Sequence, residues 1–185
     1  MFIQTESTPN PDTMKFIPGR VVLERGTVHF SNAEEALISP LASRIFEISG
    51  VSSVYLGYDF ITVAKNTCDW DQLKPPILGV IMEHFISDSP VISDGCFDWN
   101  DSSNESYECD SNIINKIKDV LDKRVRPAVA RDGGDIVFKG YREGTVFLRM
   151  QGSCSGCPSA TDTLKYGVMN IMNHFVPEVN DIRLV

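Results

Sequence analysis

Two cysteines, Cys154 and Cys157, stand three positions apart in the run Gly152-Ser153-Cys154-Ser155-Gly156-Cys157-Pro158-Ser159. Thiols at that separation can ligate one metal centre or close on each other as a disulfide. Gly152 and Gly156 admit backbone angles that other residues resist. Pro158 suits the first turn of a helix, where its missing N–H costs little, so Cys157 is expected at or just before a helix N-terminus. Free N–H groups and the positive end of the helix dipole would stabilise a thiolate there, or donate hydrogen bonds to sulfur in a bound cluster. Gly and Ser surround the pair instead of core apolar residues. Two incidental buried cysteines are therefore a poor account of the motif.

Spacing alone fits three kinds of chemistry: a dithiol–disulfide redox pair, half of a four-cysteine zinc site, or half of an iron–sulfur site. Ligand count constrains the metal readings, because a tetrahedral zinc or a cubane cluster takes about four strong ligands. From residue 111 onward the only thiols are Cys154 and Cys157, and the one histidine, His174, falls near the far end of the following helix. Cys96 and Cys109 lie in an acidic stretch that disfavours thiolate, and Cys68 belongs to the other half of the chain. Two chains giving two thiolates each would complete a site at a dimer interface. A [4Fe–4S] core with four thiolates carries about −2, a charge that two helix N-termini suit. A redox dithiol needs no dimer.

The elements that must hold this loop are legible from residue 111 onward. Ile113, Ile117, Val120, Leu121, Val125, Ala128 and Val129 form one helical face, with Ser111 or Asn112 to cap it and Gly133-Gly134 to supply a left-handed stop. Ile136 to Tyr141 and Thr145 to Met150 read as antiparallel strands around a turn at Arg142-Glu143-Gly144. After the cysteine loop, Ala160, Leu164, Val168, Ile171, Met172 and Phe175 recur at helical spacing, and Asp181 to Val185 closes as a short strand. Met169 and Met172 fit core filler. The order α-β-β-α-β predicts a small α+β domain over 111–185.

The first half, 1–87, reads as a second small α+β domain. Met14 to Ile17 is a strand, Ser31 to Glu35 a capped turn, and Leu41 to Ile48 a helix ended by Gly50. Val51 to Tyr58 and Phe60 to Ala64 suggest a hairpin turning at Gly57-Tyr58-Asp59. Ile77, Val80, Ile81, His84 and Phe85 mark a helix that Pro75-Pro76 should start or kink, with His84 packed in the core. Residues 88–110, rich in Ser, Asp and Asn, hold 7 acidic and no basic side chains and read as a flexible linker.

The net charge of −8 is thus unevenly spread. Residues 1–87 carry 6 basic and 10 acidic groups, net −4, and residues 111–185 carry 11 basic and 8 acidic groups, net +3. That small excess gives no ground for nucleic-acid binding. No apolar run reaches the ~18–20 residues needed to cross a bilayer. The opening Met1-Phe2-Ile3-Gln4-Thr5-Glu6 lacks the basic and apolar regions of a secretory signal, so a reducing compartment is expected for the five cysteines.

The run Arg126-Pro127-Ala128, Arg131-Asp132-Gly133-Gly134-Asp135-Ile136 and then Gly152 to Ser159 resembles the NifU C-terminal-type (Nfu) iron–sulfur scaffold domain. The opening Thr5-Glu6-Ser7-Thr8-Pro9-Asn10-Pro11-Asp12-Thr13-Met14-Lys15-Phe16-Ile17-Pro18-Gly19 is similar to the N-terminal domain of two-domain Nfu proteins. The resemblance implies a scaffold or carrier, not an enzyme, that assembles or carries a [4Fe–4S] cluster for transfer to apo-proteins. It implies Cys154 and Cys157 as ligands from each of two subunits, a homodimer on cluster binding, and apo client proteins and iron–sulfur assembly machinery as partners. The setting it implies is a bacterial cytoplasm or, for a processed chain, the mitochondrial matrix. A thiol–disulfide oxidoreductase on the same pair is the alternative from another class.

Overall fold

Strand and helix signals resolve into two units, Met1–Asn100 and Asp101–Val185, in a computed structural model that describes residues 2–93, 111–155 and 158–185. In the first unit, β1 (Gln4–Ser7), β2 (Thr13–Ile17), β3 (Val28–Phe30), β4 (Val51–Leu56) and β5 (Ile61–Lys65) form one sheet in the order β1-β2-β5-β4-β3. All its neighbours are antiparallel. Register places Met14 opposite Val63, Val63 opposite Val54 and Val54 opposite Phe30, and likewise Phe16, Ile61, Leu56 and Val28 in a row. This apolar face meets Leu41, Ala42 and Ile45 of α1 (Pro40–Phe46) and Leu73, Ile77, Ile81 and Phe85 of α2 (Trp70–Ile86). Short strands β1 and β3 escape sequence reading because three or four residues carry too little alternation.

The capped turn forms as expected: Asn32 Oδ1 accepts from the Glu35 N–H at 2.8 Å, and the Glu35 carboxylate accepts from the Ser31 N–H at 2.7 Å. Pro75-Pro76 do not start α2; the helix begins earlier, at Trp70, and both prolines lie inside it. Its first turn is held by Gln72 and Leu73 N–H groups on the Asp69 carbonyl at 3.1 and 3.2 Å, by Trp70 Nε1 donating to the Pro11 carbonyl at 3.0 Å, and by burial of Leu73. The carbonyls that the prolines leave without helical donors belong to Asp71 and Gln72, both exposed to water. His84 is fully buried on the core stripe as read, and burial, with Arg44 nearby, pushes its pKa down.

The first unit's packing extends past residue 88. Val91 and Ile92 lie against its core, Ser39 Oγ donates to the Val91 carbonyl at 2.6 Å, and the Ser93 N–H reaches the Ile38 carbonyl at 2.8 Å. The rest of the expected linker, with Cys96 and Cys109, lies outside the described residues.

The second unit has the expected α-β-β-α-β order. Its first helical run comprises α3 (Ser111–Val120), a π-helical turn (Leu121–Val125) and α4 (Arg126–Arg131). The wide turn was not foreseen. Its physical source is Pro127, which has no N–H and crowds the carbonyl four residues back; the Arg126 N–H instead reaches the Leu121 carbonyl. Gly133, at φ 78°, ends the run. Strands β6 (Gly134–Arg142) and β7 (Thr145–Gly152) pair around Glu143 and Gly144, both at positive φ, and β8 (Asp181–Leu184) adds parallel to β7. With α5 (Pro158–Phe175), these elements enclose Ile117, Leu121, Val125, Ile136, Val146, Leu148, Val168, Met172 and Ile182. Phe175, the last residue of the predicted stripe, is 41% exposed and lies under the Arg124 guanidinium, 4.7 Å from the ring centroid.

Candidate functional site

The cysteine loop leaves the end of β7 and leads to α5, whose first residue is Pro158, the position the sequence marks as a helix start. Gly152 ends β7 at φ 65°, a left-handed conformation that a side chain would strain. Beyond it the loop folds onto the turn that closes α4. The Ser153 N–H donates to the Gly133 carbonyl at 3.2 Å, and Ser153 Oγ donates to the Asp132 carbonyl. Ser155 tightens the turn from the other side, its N–H and hydroxyl both reaching the Gly152 carbonyl, at 3.1 and 2.7 Å.

These contacts set Cys154 over Gly134. A Cβ at Gly134 would lie 2.4 Å from Cys154 Sγ, so the thiol occupies space that exists only because residue 134 lacks a side chain. Cys154 is 8% exposed. Burial pushes its thiol up to about 11, partly offset by the Ser153 hydrogen bond and reinforced by the carboxylates of Asp132 and Asp135. At neutral pH this sulfur is protonated.

The turn beneath the thiol is tied down by an ion pair. Arg126, the first residue of α4, forks onto Asp135, the second of β6, with Nε to Oδ1 at 2.9 Å and Nη2 to Oδ2 at 2.8 Å. The Ile136 N–H adds a third donor to Asp135 at 2.8 Å, and Arg126 Nη1 also reaches Asp122 at 3.1 Å. Asp135 is 3% exposed, and its hydrogen bonds hold the guanidinium firmly charged, raising its pKa. Both stand in the run that carries the family resemblance, but neither was assigned a role from sequence.

Cys157, the second expected ligand, lies outside the described residues. His174 sits at the last turn of α5, about 24 Å along the axis from Pro158 at 1.5 Å per residue, so the helix keeps it away from the loop. Cys68 is in the first unit, its Sγ packed close to Gly50. Among the described residues no three His, Cys, Asp or Glu side chains gather as a metal site. A complete four-ligand set thus needs groups beyond those described here.

Residues 3–88 match the family described as the N-terminal domain of scaffold protein Nfu/NifU, and residues 117–183 match the NifU-like domain. The human mitochondrial NFU1 iron–sulfur cluster scaffold homolog is 45% identical over 187 aligned positions, which take in 100% of this chain and 72% of that protein. This chain belongs to the Nfu/NifU scaffold family. The Nfu relationship extends to the Drosophila erecta mitochondrial NFU1 homolog, 46% identical over all of this chain and 65% of that protein. A solved NifU-like protein from Saccharomyces cerevisiae is 30% identical, with a TM-score of 0.46 over 51% of this chain and 86% of that one. Both Nfu family domains thus fall on the two units of the fold. Among the described residues no helix is long and apolar enough to cross a membrane.

Proposed function

We propose that this Nfu-family chain is a scaffold or carrier, not an enzyme, that holds a [4Fe–4S] cluster between two copies and hands it to apo-proteins. Cys154 and Cys157 of each copy supply the four thiolates. The observation that carries this reading is kinship, over all of this chain and 72% of the human relative, to proteins named as iron–sulfur cluster scaffolds, joined to a cysteine pair on a glycine-rich loop. The cluster is cargo. A site split between copies can be opened by separating them, since each copy keeps only half the ligands.

Cys154 itself is ill suited to be the attacking thiol of a dithiol oxidoreductase. A redox nucleophile needs thiolate at working pH, whereas this thiol is buried and its pKa is pushed up to about 11. A metal centre replaces the proton on binding, so a neutral resting thiol is compatible with loading. In this scheme residues 111–185 load the cluster and residues 1–87 recognise client proteins or the assembly machinery. The acidic stretch 88–110 joins them, its first residues through Ser93 packed on the first unit. Relatives named as mitochondrial support the mitochondrial matrix as the setting.

The test is anaerobic reconstitution with iron and sulfide, followed by ultracentrifugation with iron and sulfide assayed in the same fractions. A dimer carrying four irons and four sulfides is expected, reverting to monomer on chelation. Cys154→Ser and Cys157→Ser should each abolish loading, while Cys68→Ser, Cys96→Ser and Cys109→Ser should not. A loaded monomer, or a Cys154→Ser protein with wild-type iron content, defeats the proposal.

A further inference from the structure

We infer that Arg126 and Asp135 are positioning residues for Cys154, clamping the turn on which its thiol is seated. The inference rests on the reading of Cys154 as a cluster ligand and adds the device that aims it. The clamp spans the turn from both sides: Arg126 opens α4, Asp135 is the second residue of β6, and the chain between their elements turns at Asp132 and Gly133. That turn is the floor of the site. Asp132 and Gly133 lend their carbonyls to Ser153, and Gly134 leaves the space that Cys154 Sγ fills. A shift of α4 against β6 would therefore move the floor and the thiol together.

The chemistry of the pair suits positioning. Two parallel N–H···O bonds at 2.9 and 2.8 Å fix an orientation as well as a distance. The pair is only partly buried, with Asp135 enclosed and the Arg126 side chain 39% exposed, so its two aligned bonds fix geometry more than they add stability. Lysine would keep the charge but lose the fork.

The experiment uses the full chain with Arg126→Lys, Asp135→Asn and an Ile117→Val control that weakens the same core away from the loop. The first readout is the rate at which iodoacetamide modifies Cys154 in the apo protein, resolved from Cys157 by fragment mass spectrometry. Losing one charge-assisted hydrogen bond should raise local opening, and hence that rate, about tenfold. Ile117→Val, compared at matched urea stability, should show no such excess. The second readout is release of iron from reconstituted protein to a chelator, with the cluster's absorption spectrum. Both clamp variants should release faster and show altered spectra, and Asp135→Asn is a near-isostere that tests the clamp if Arg126→Lys is poorly folded. Wild-type alkylation rates in both clamp variants, or an acceleration no larger than in Ile117→Val, overturn the clamp. Failure of the wild-type protein to take up cluster overturns the scaffold reading instead, while the alkylation readout still decides the clamp.

Discussion

Gly134→Ala tests the seat of Cys154 most directly. The new Cβ would lie 2.4 Å from Cys154 Sγ, 3.0 Å from the Gln151 carbonyl oxygen and 3.1 Å from the Cys154 nitrogen. The first distance cannot persist, so the thiol must leave its seat. The other two ask the end of β7 to yield by a few tenths of an ångström. Overpacking of this kind costs about 1–3 kcal/mol. Alanine returns roughly 0.4–1 kcal/mol by restricting the unfolded chain. The net expectation is a loss of about 1–2 kcal/mol, seen as a lower urea midpoint with unchanged slope, and faster alkylation of Cys154. A second substitution isolates the sulfur. Cys154→Ala removes the clashing atom, so the double variant should be more stable than the sum of the two single losses by at least about 1 kcal/mol. Urea unfolding by circular dichroism, with hydrogen exchange of β6 and β7 peptides to resolve the second unit, measures the cycle. Additivity within roughly 0.5 kcal/mol, with Cys154 no more reactive than in the wild type, would refute the packing argument.

Cys154 should also make apo stability pH-dependent. Its folded pKa of about 11 exceeds the ordinary 9.0, so its stabilisation is complete below about pH 9 and is lost as pH rises through 11. The loss is about 2–3 kcal/mol at 1.36 kcal/mol per unit, and it should vanish in Cys154→Ala when urea midpoints are compared from pH 8 to 11.5. His84 acts in the opposite direction. Burial lowers its pKa beneath 6.5, so its contribution is present above that value and is lost as pH falls; the urea midpoint of the first unit should drop less from pH 7.5 to 5.5 in His84→Leu than in the wild type. Ser39 caps α1 by accepting from the Ala42 N–H at 3.1 Å while donating to the Val91 carbonyl. Ser39→Ala should cost about 2 kcal/mol and speed proteolytic cleavage within 88–93; cleavage at the wild-type rate would show that this bond does not hold the segment.

The order of elements from residue 111 onward could be read from sequence because its signals are local. Apolar residues three and four apart mark a helix, alternation marks Ile136 to Tyr141 and Thr145 to Met150 as strands, and Gly133 marks the stop. The cysteine pair and the helix start at Pro158 are equally local, as is the apolar stripe that carries His84 into the first core. Tertiary structure decided what crosses between elements. Nothing in a spacing of nine predicts that Arg126 grips Asp135, nor in a spacing of twenty that Gly134 makes room for Cys154. Such contacts exist only after the chain reverses at Gly133 and β7 pairs back onto β6, so no periodicity records them. The protonation of Cys154 has the same origin. Its neighbours in sequence are Ser153 and Ser155, which suggest a polar, open loop. Its neighbours in space are Gly134, a β-strand end and two carboxylates, and burial among them keeps the sulfur neutral.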